Sequence, residues 1–390
     1  MATVRLKQGE HRRIRSGHLW VFSNEVGTTD GPVEPGDVVA VVDAKGRRLG
    51  TGLASPQSLI FVRLFSRRDE DMTRDFLVRR IIDARSYRER RWPGETSYRA
   101  VYGESDLLPG LIVDRYGEVL VVQSMTAGIE RRLDEICEIL DEIYEPRAIV
   151  LRNDAPMRRR EGLPLEKRVH KGQIDGPIEI EQDERAFLVD VIDGQKTGFF
   201  LDQRENRRAT APLARDEDVL DCCCYTGAWS VCAAGAGAKS VTGVDSSSAA
   251  LGLATENAAR NNLAERVQFV RGDMFNELAR LGRGRRRFGL IILDPPSLAR
   301  SRRDVREALK AVRALNRLAL RLLRPHGHLV TCSCSHVIER DAFLHAVTVG
   351  AGEAGRVARI LEVRGQGADH PVLLGLPETD YLACLVLEVM

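Results

Sequence analysis

From about residue 186 onward, short apolar runs alternate with longer amphipathic ones, and an aspartate closes or follows four of the apolar runs. The runs at Asp218–Cys223, Ser240–Val244, Val267–Val270, Leu290–Leu293, His328–Thr331 and Leu382–Val389 are short and rich in Val, Ile and Leu, which predicts strands. Helical spacing predicts helices near Trp229–Ala236, over Ser247–Asn261 and over Val305–Leu323, the last ending at Pro325-His326-Gly327. Regular strand–helix alternation is the signature of a doubly wound, mainly parallel α/β sheet. Ligands of such sheets sit beyond the carboxyl ends of the strands, at the point where strand order reverses. Asp221, Asp245, Asp273 and Asp294 all fall there.

Four acids along one edge repel the phosphates of a dinucleotide. The loop Tyr225-Thr226-Gly227 also has one glycine where the dinucleotide fingerprint needs three. The acids suit S-adenosylmethionine instead, which has no phosphate but carries a sulfonium, an ammonium and a ribose diol. Asp245, 24 residues after Asp221, is placed to accept both ribose hydroxyls, and Asp273 to accept the adenine amino group.

Two further turns add chemistry. Asp294-Pro295-Pro296-Ser297 ends one apolar run, and Cys332-Ser333-Cys334-Ser335 ends the next. An acid-Pro-Pro turn alone points to methylation of an exocyclic or amide nitrogen. A thiol beside it points to carbon-5 of a pyrimidine, which becomes nucleophilic only after addition of a thiolate at carbon-6. Cys334 is the candidate nucleophile, and Asp294 the residue to hold or protonate N3. Cys332, two positions earlier, reads as a packed residue.

At 390 residues, with 43% hydrophobic and 29% charged residues, the chain is expected to form two or three soluble domains. No apolar run approaches the length of a membrane span, and the first residues lack a secretory core, so a cytoplasmic protein with no membrane contact is expected. Residues 1–68 read as a small β module, 72–185 as a mixed α+β domain and 186–390 as the α/β domain. The polar stretch from Met157 to Gly176 reads as a long exposed loop. The eight cysteines, three of them consecutive at 222–224, lack paired metal-ligand spacing and read as reduced thiols rather than a zinc site.

Net charge is only +2, but seven of the 58 basic residues are lysine, and arginines cluster. One cluster (Arg5, Lys7, Arg12, Arg13, Arg15) opens the chain. Others lie at Arg158–Arg160, at Arg283 and Arg285–Arg287, and at Arg300, Arg302, Arg303 and Arg306. Solvated faces account for most such clusters; the last adjoins the Asp294 turn and is the better candidate for phosphate contact.

Thr197-Gly198-Phe199-Phe200-Leu201-Asp202-Gln203-Arg204-Glu205-Asn206-Arg207, Val219–Gly227, Asp294-Pro295-Pro296 and Ser333-Cys334-Ser335 together resemble the bacterial 23S ribosomal RNA cytosine-5 methyltransferases. His18–Phe22 resembles the start of that family's PUA domain, Gly103–Arg115 its central-domain signature and Ala368–Val372 its C-terminal hairpin. The resemblance implies three parts: a PUA-like RNA-binding module, a central β-β-α-β-β domain and a Rossmann-like class I methyltransferase domain. It implies that Asp245 and Asp273 bind the cofactor, that Gln203 and Arg204 lie beside its methionine end or the substrate, and that Cys334 is the nucleophile. Ribosomal RNA is the implied partner, and a homodimer is one assembly left open. One departure concerns product release. Many RNA cytosine-5 methyltransferases carry a second cysteine after the acid-Pro turn, and this chain has Ser297. Two readings compete: methylation of another base atom, and a non-catalytic RNA-binding assembly factor that only holds the cofactor.

Overall fold

The computed structural model describes residues 1–299 and 301–390, so Arg300 of the fourth basic cluster lies outside the described residues. The chain divides into two compact units. The first comprises residues 1–180, 190–201 and 368–379, and the second 181–189, 202–367 and 380–390.

The first unit holds two sheets. Strands Ala2–Leu6 (β1), Trp20–Phe22 (β2), Val26–Asp30 (β3), Val38–Val42 (β4), Arg48–Ala54 (β5) and Ile60–Ser66 (β6) form a six-stranded sheet in the order β2-β6-β5-β4-β1-β3. Strands Ser97–Tyr102 (β7), Leu111–Tyr116 (β8), Val119–Ser124 (β9), Ala148–Asn153 (β10) and Glu166–Lys171 (β11) form a five-stranded sheet in the order β11-β10-β9-β8-β7. Helix Leu133–Tyr144 presents Leu133, Ile136, Cys137, Ile139 and Leu140 as one buried stripe, as its helical spacing predicts. Val4, Leu6, Ile14, Val21, Val39, Val41, Val62 and Leu64 form a core within residues 1–68, while Leu53 and Phe65 of the same sheet join a second core with Phe76, Val101, Leu111 and Ile129.

The stretch from Met157 to Gly176, expected as a loop, contains β11, an edge strand paired antiparallel with β10. None of its side chains is buried, which is why apolar alternation could not mark it. Arg158 is fully buried against Glu130 at 2.8 Å and is not a surface cation.

Ile178–Gln182 (β12) and Arg185–Val189 (β13) pair as a hairpin. The second unit is then built on Asp218–Cys222 (β14), Ser240–Asp245 (β15), Val267–Arg271 (β16), Phe288–Leu293 (β17), Leu323–Ser333 (β18), Ala358–Arg364 (β19) and Ala383–Val389 (β20). Their order is β16-β15-β14-β17-β18-β20-β19. The first five are parallel, and β20 is antiparallel to both neighbours. Both faces of β17 are buried, as expected of a central parallel strand. From β14 the chain winds outward through β15 and β16, then returns to β17 on the other side, so order reverses between β14 and β17.

Candidate functional site

The loop after β14 is held in a conformation that few residues adopt. Cys223, Tyr225 and Gly227 have φ of 62°, 50° and 78°. A left-handed non-glycine residue costs on the order of 1–3 kcal/mol, so surrounding bonds must hold the loop. Tyr225 N–H donates to Asp245 Oδ2 at 2.9 Å, Cys224 N–H to the Val244 carbonyl at 3.0 Å, and Asn257 Nδ2 to the Thr226 carbonyl at 2.9 Å. Gly227 is required twice over, because a Cβ there would also meet Phe269 at 2.9 Å. Helix Ala228–Gly235 starts directly after it.

Three acids line this edge in different states. Asp245, at the end of β15, accepts from Tyr225 N–H and, at Oδ1, from Ser247 N–H at 2.9 Å. Two backbone donors thus fix its carboxylate while lone pairs remain on both oxygens. Asp273 is exposed and caps helix Met274–Gly282, accepting from Asn276 N–H at 3.0 Å. Asp221 is fully buried; Ser230 Oγ donates to its Oδ2 at 2.6 Å, and its Oδ1 has no hydrogen-bond partner. Burial pushes the Asp221 carboxyl up to about 7, the Ser230 bond opposes this, and Asp294 and Asp245 nearby add to it. Thr226 Oγ1 is a second buried polar atom left unmatched. An orphaned carboxylate oxygen, a preorganised carboxylate and a hydroxyl form an acceptor-rich set. They fit the ammonium and ribose diol of S-adenosylmethionine far better than any phosphate.

Asp294 follows β17. Gln203 Nε2 donates to its Oδ1 and Trp229 Nε1 to its Oδ2, each at 3.0 Å. Gln203 is itself fixed, since its Oε1 accepts from Asn206 Nδ2 at 2.7 Å and Asn206 Oδ1 accepts from Arg364 Nε at 2.9 Å. Gln203 and Asn206 are 2% and 1% exposed, so this is a buried chain of donors ending on one carboxylate. Arg204 is placed differently from its neighbour: its guanidinium faces Asp183 at 3.4 Å. Trp229 and Asn206 are site residues that sequence reading missed. Only the Asn206 position, inside the Gln203–Arg207 run, carried any signal.

Cys334 directly follows β18 and is half-buried. Its thiol donates to the Pro295 carbonyl at 3.8 Å, which brings the two strand-end turns together. Ser335 Oγ and Ser297 Oγ both donate to the Ala299 carbonyl, at 3.3 and 2.8 Å, and brace the same pair of turns. Ser297, where a second cysteine was the alternative, is thus a turn brace. Cys332 is buried on β18 opposite Cys384 on β20; the bond to that thiol and burial hold its own thiol well above the ordinary cysteine range. All eight cysteines are free. His370, in the first unit, is buried with Nδ1 2.8 Å from Asp369. Arg302, Arg303 and Arg306 are exposed, whereas Arg13 is tied bidentately to Glu25.

No helix among the described residues is long and apolar enough to cross a membrane. Residues 4–67 match the PUA-like domain, and residues 172–369 match the S-adenosylmethionine-dependent methyltransferase family. The ribosomal RNA large subunit methyltransferase I of Shewanella denitrificans is 39% identical over 99% of both chains. That of Tolumonas auensis is 37% identical over 100% of this chain and 99% of its own. A Streptococcus mutans protein assigned as a SAM-dependent methyltransferase shares the fold with a TM-score of 0.85, at 21% identity over the whole of both chains. A methyltransferase structure in complex with SAH gives 0.87, also at 21% identity and full coverage. The chain is an S-adenosylmethionine-dependent methyltransferase and belongs to the ribosomal RNA large subunit methyltransferase I family.

Proposed function

We propose that this enzyme methylates carbon-5 of a cytosine in large-subunit ribosomal RNA through a transient bond between Cys334 Sγ and carbon-6 of the base. The observation that carries this reading is the 3.8 Å contact between the Cys334 thiol and the Pro295 carbonyl, which sets a half-buried thiol against the turn that Asp294 opens. The names of the full-length relatives support ribosomal RNA as the substrate.

S-adenosylmethionine, when bound, supplies an electrophilic methyl group. Asp245 accepts its ribose hydroxyls, Asp273 its adenine amino group, and the open oxygen of Asp221 its ammonium, with Tyr225, Thr226 and Gly227 shaping the loop against it. Cys334, as thiolate, adds to carbon-6, and the displaced electron pair makes carbon-5 the nucleophile that takes the methyl group. Loss of the carbon-5 proton restores the double bond and expels the thiolate. Asp294, held by two N–H donors, acts in its protonated form, donating its carboxyl proton to N3 of the base as negative charge develops there on thiolate addition. Gln203 holds Asp294 in place, and the buried Arg204 beside it faces Asp183. The N-terminal module, residues 1–68, and the arginines after Pro296 hold the RNA backbone, positioning the target without specifying it.

Mass-spectrometric and bisulfite mapping of large-subunit ribosomal RNA from cells with and without the gene tests this. Loss of one 5-methylcytosine is expected. Loss of an N-methylated base instead would favour the acid-Pro-Pro turn acting alone, with Cys334 structural.

A further inference from the structure

The proposed reaction makes a geometric demand that Asp294 and Cys334 do not meet. A thiolate adds to carbon-6 along the normal of the pyrimidine ring, so the plane of the base must be fixed while one face stays open to Sγ. A base lifted out of its stack also loses its neighbours and needs a replacement surface.

Such a surface lies beside the nucleophile. β18 and β20 run antiparallel with Ser333 opposite Ala383, so Cys334–His336 leaves the sheet next to Leu382 and Tyr381. The His336 and Tyr381 rings are stacked, with centroids 5.1 Å apart and planes at 30°. His336 is exposed and Tyr381 half-buried. Tyr381 is anchored from below: its hydroxyl donates to Asp202 Oδ2 at 2.6 Å, and Asp202 is 1% exposed. Asp202 in turn adjoins Gln203, whose amide holds Asp294. One dipeptide therefore fixes the acid on one side and the aromatic pair on the other.

Resting on the cytosine-5 reading, we infer that the stacked pair Tyr381–His336 is the wall against which the flipped base lies, with Asp202 as a positioning residue acting through the Tyr381 hydroxyl. The wall holds the base plane; it transfers no proton.

The test is steady-state methylation of large-subunit ribosomal RNA from cells lacking the gene, with calorimetric S-adenosylmethionine binding on each full-length variant. Base–aromatic stacking corresponds to about 5- to 150-fold in affinity. Tyr381→Leu should lower kcat/KM for RNA within that range, mainly through KM, with cofactor affinity unchanged. His336→Ala should shift KM the same way by less, and His336→Phe should restore it. Tyr381→Phe keeps the ring but frees it from Asp202, so it should lower kcat more than it raises KM. Should Tyr381→Leu fail to bind cofactor, the exposed His336 pair of variants carries the result. A His336→Phe enzyme as impaired as His336→Ala would overturn the wall. So would Tyr381→Leu and His336→Ala enzymes at wild-type efficiency while the wild type forms 5-methylcytosine. A wild type that forms a different methylated base overturns the parent reading instead.

Discussion

The Cys334 thiol and the Pro295 carbonyl lie 3.8 Å apart, although 39 residues separate them in the chain. Neighbouring parallel strands, β17 and β18, end in register at Leu293 and Thr331, and the turns that follow converge. The turn that carries the acid and the turn that carries the thiol meet because of sheet order.

If Cys334 bonds to the base, Cys334→Ala should abolish methyl transfer and leave S-adenosylmethionine binding near wild type. Cys332→Ala should retain substantial activity, since that thiol is buried against Cys384. A turnover assay beside calorimetric titration reads both. An active Cys334→Ala with a dead Cys332→Ala would mean that the wrong thiol has been assigned.

The two donors on Asp294 should matter for turnover rather than for cofactor binding. Gln203→Ala or Trp229→Phe removes one hydrogen bond of the kind worth about 1.5–3 kcal/mol, so kcat should fall about 10- to 150-fold. The double variant should lose less than the sum of the two, because both act through one carboxylate. Strict additivity would show that the donors act separately.

How far the sequence disclosed this site can be judged residue by residue. Asp221, Asp245, Asp273 and Asp294 were legible because each falls at or just past the end of a short apolar run, and strand ends are where an α/β sheet binds ligands. Helices Met274–Gly282 and Arg340–Ala354 and strand β19 were not legible. β19 is an exposed edge with Ile360, Leu361 and Val363 in solvent, so no alternation marks it. Trp229 and Tyr381 were missed for another reason. Their roles exist only as contacts with residues up to 179 positions away, which no local pattern encodes.

Asp245→Ala should weaken S-adenosylmethionine binding by about 1.5–3 kcal/mol for each ribose bond lost, less what water restores. The same change also releases Tyr225 and Ser247 N–H, so the loop loosens. Calorimetry on Asp245→Asn separates the two effects, since the amide oxygen can keep one backbone bond. Unchanged affinity in both variants would remove Asp245 from the cofactor site.

The raised Asp221 carboxyl predicts a proton linkage. An acid whose folded pKa stands at about 7 against an ordinary 3.8 binds a proton in the folded, cofactor-free protein that the unfolded chain has released. Its contribution to stability is therefore present at low pH and falls as pH rises through that window. An ammonium at Oδ1 favours the ionised form, so cofactor binding near about pH 6 should release up to about one proton, and affinity should rise until about pH 7. Calorimetry in buffers of different ionisation enthalpy measures the release, and Asp221→Asn should abolish it. Equal heats in all buffers would remove the ammonium from Asp221.

RNA binding should be strongly salt-dependent, by about 0.7–0.9 log units per log salt for each phosphate contact. Arg5, Lys7 and Arg12 are exposed and their replacement by alanine should flatten the slope; Arg13, bound to Glu25, should affect folding more than RNA. Substitution is a cleaner test than truncation, because Leu53 and Phe65 belong to the core shared with residues beyond 68. An unchanged slope would shift the grip to Arg302, Arg303 and Arg306.

The most direct measurement is peptide mass spectrometry on enzyme trapped with large-subunit ribosomal RNA in which cytidine is replaced by 5-fluorocytidine. Fluorine cannot leave carbon-5 as a cation, so the methylated adduct cannot release the thiol. The account predicts a single cross-linked peptide containing Cys334, carrying one methylated fluorocytidine and dependent on S-adenosylmethionine. A cross-link at another cysteine, or methylated RNA with no protein attached, would contradict it.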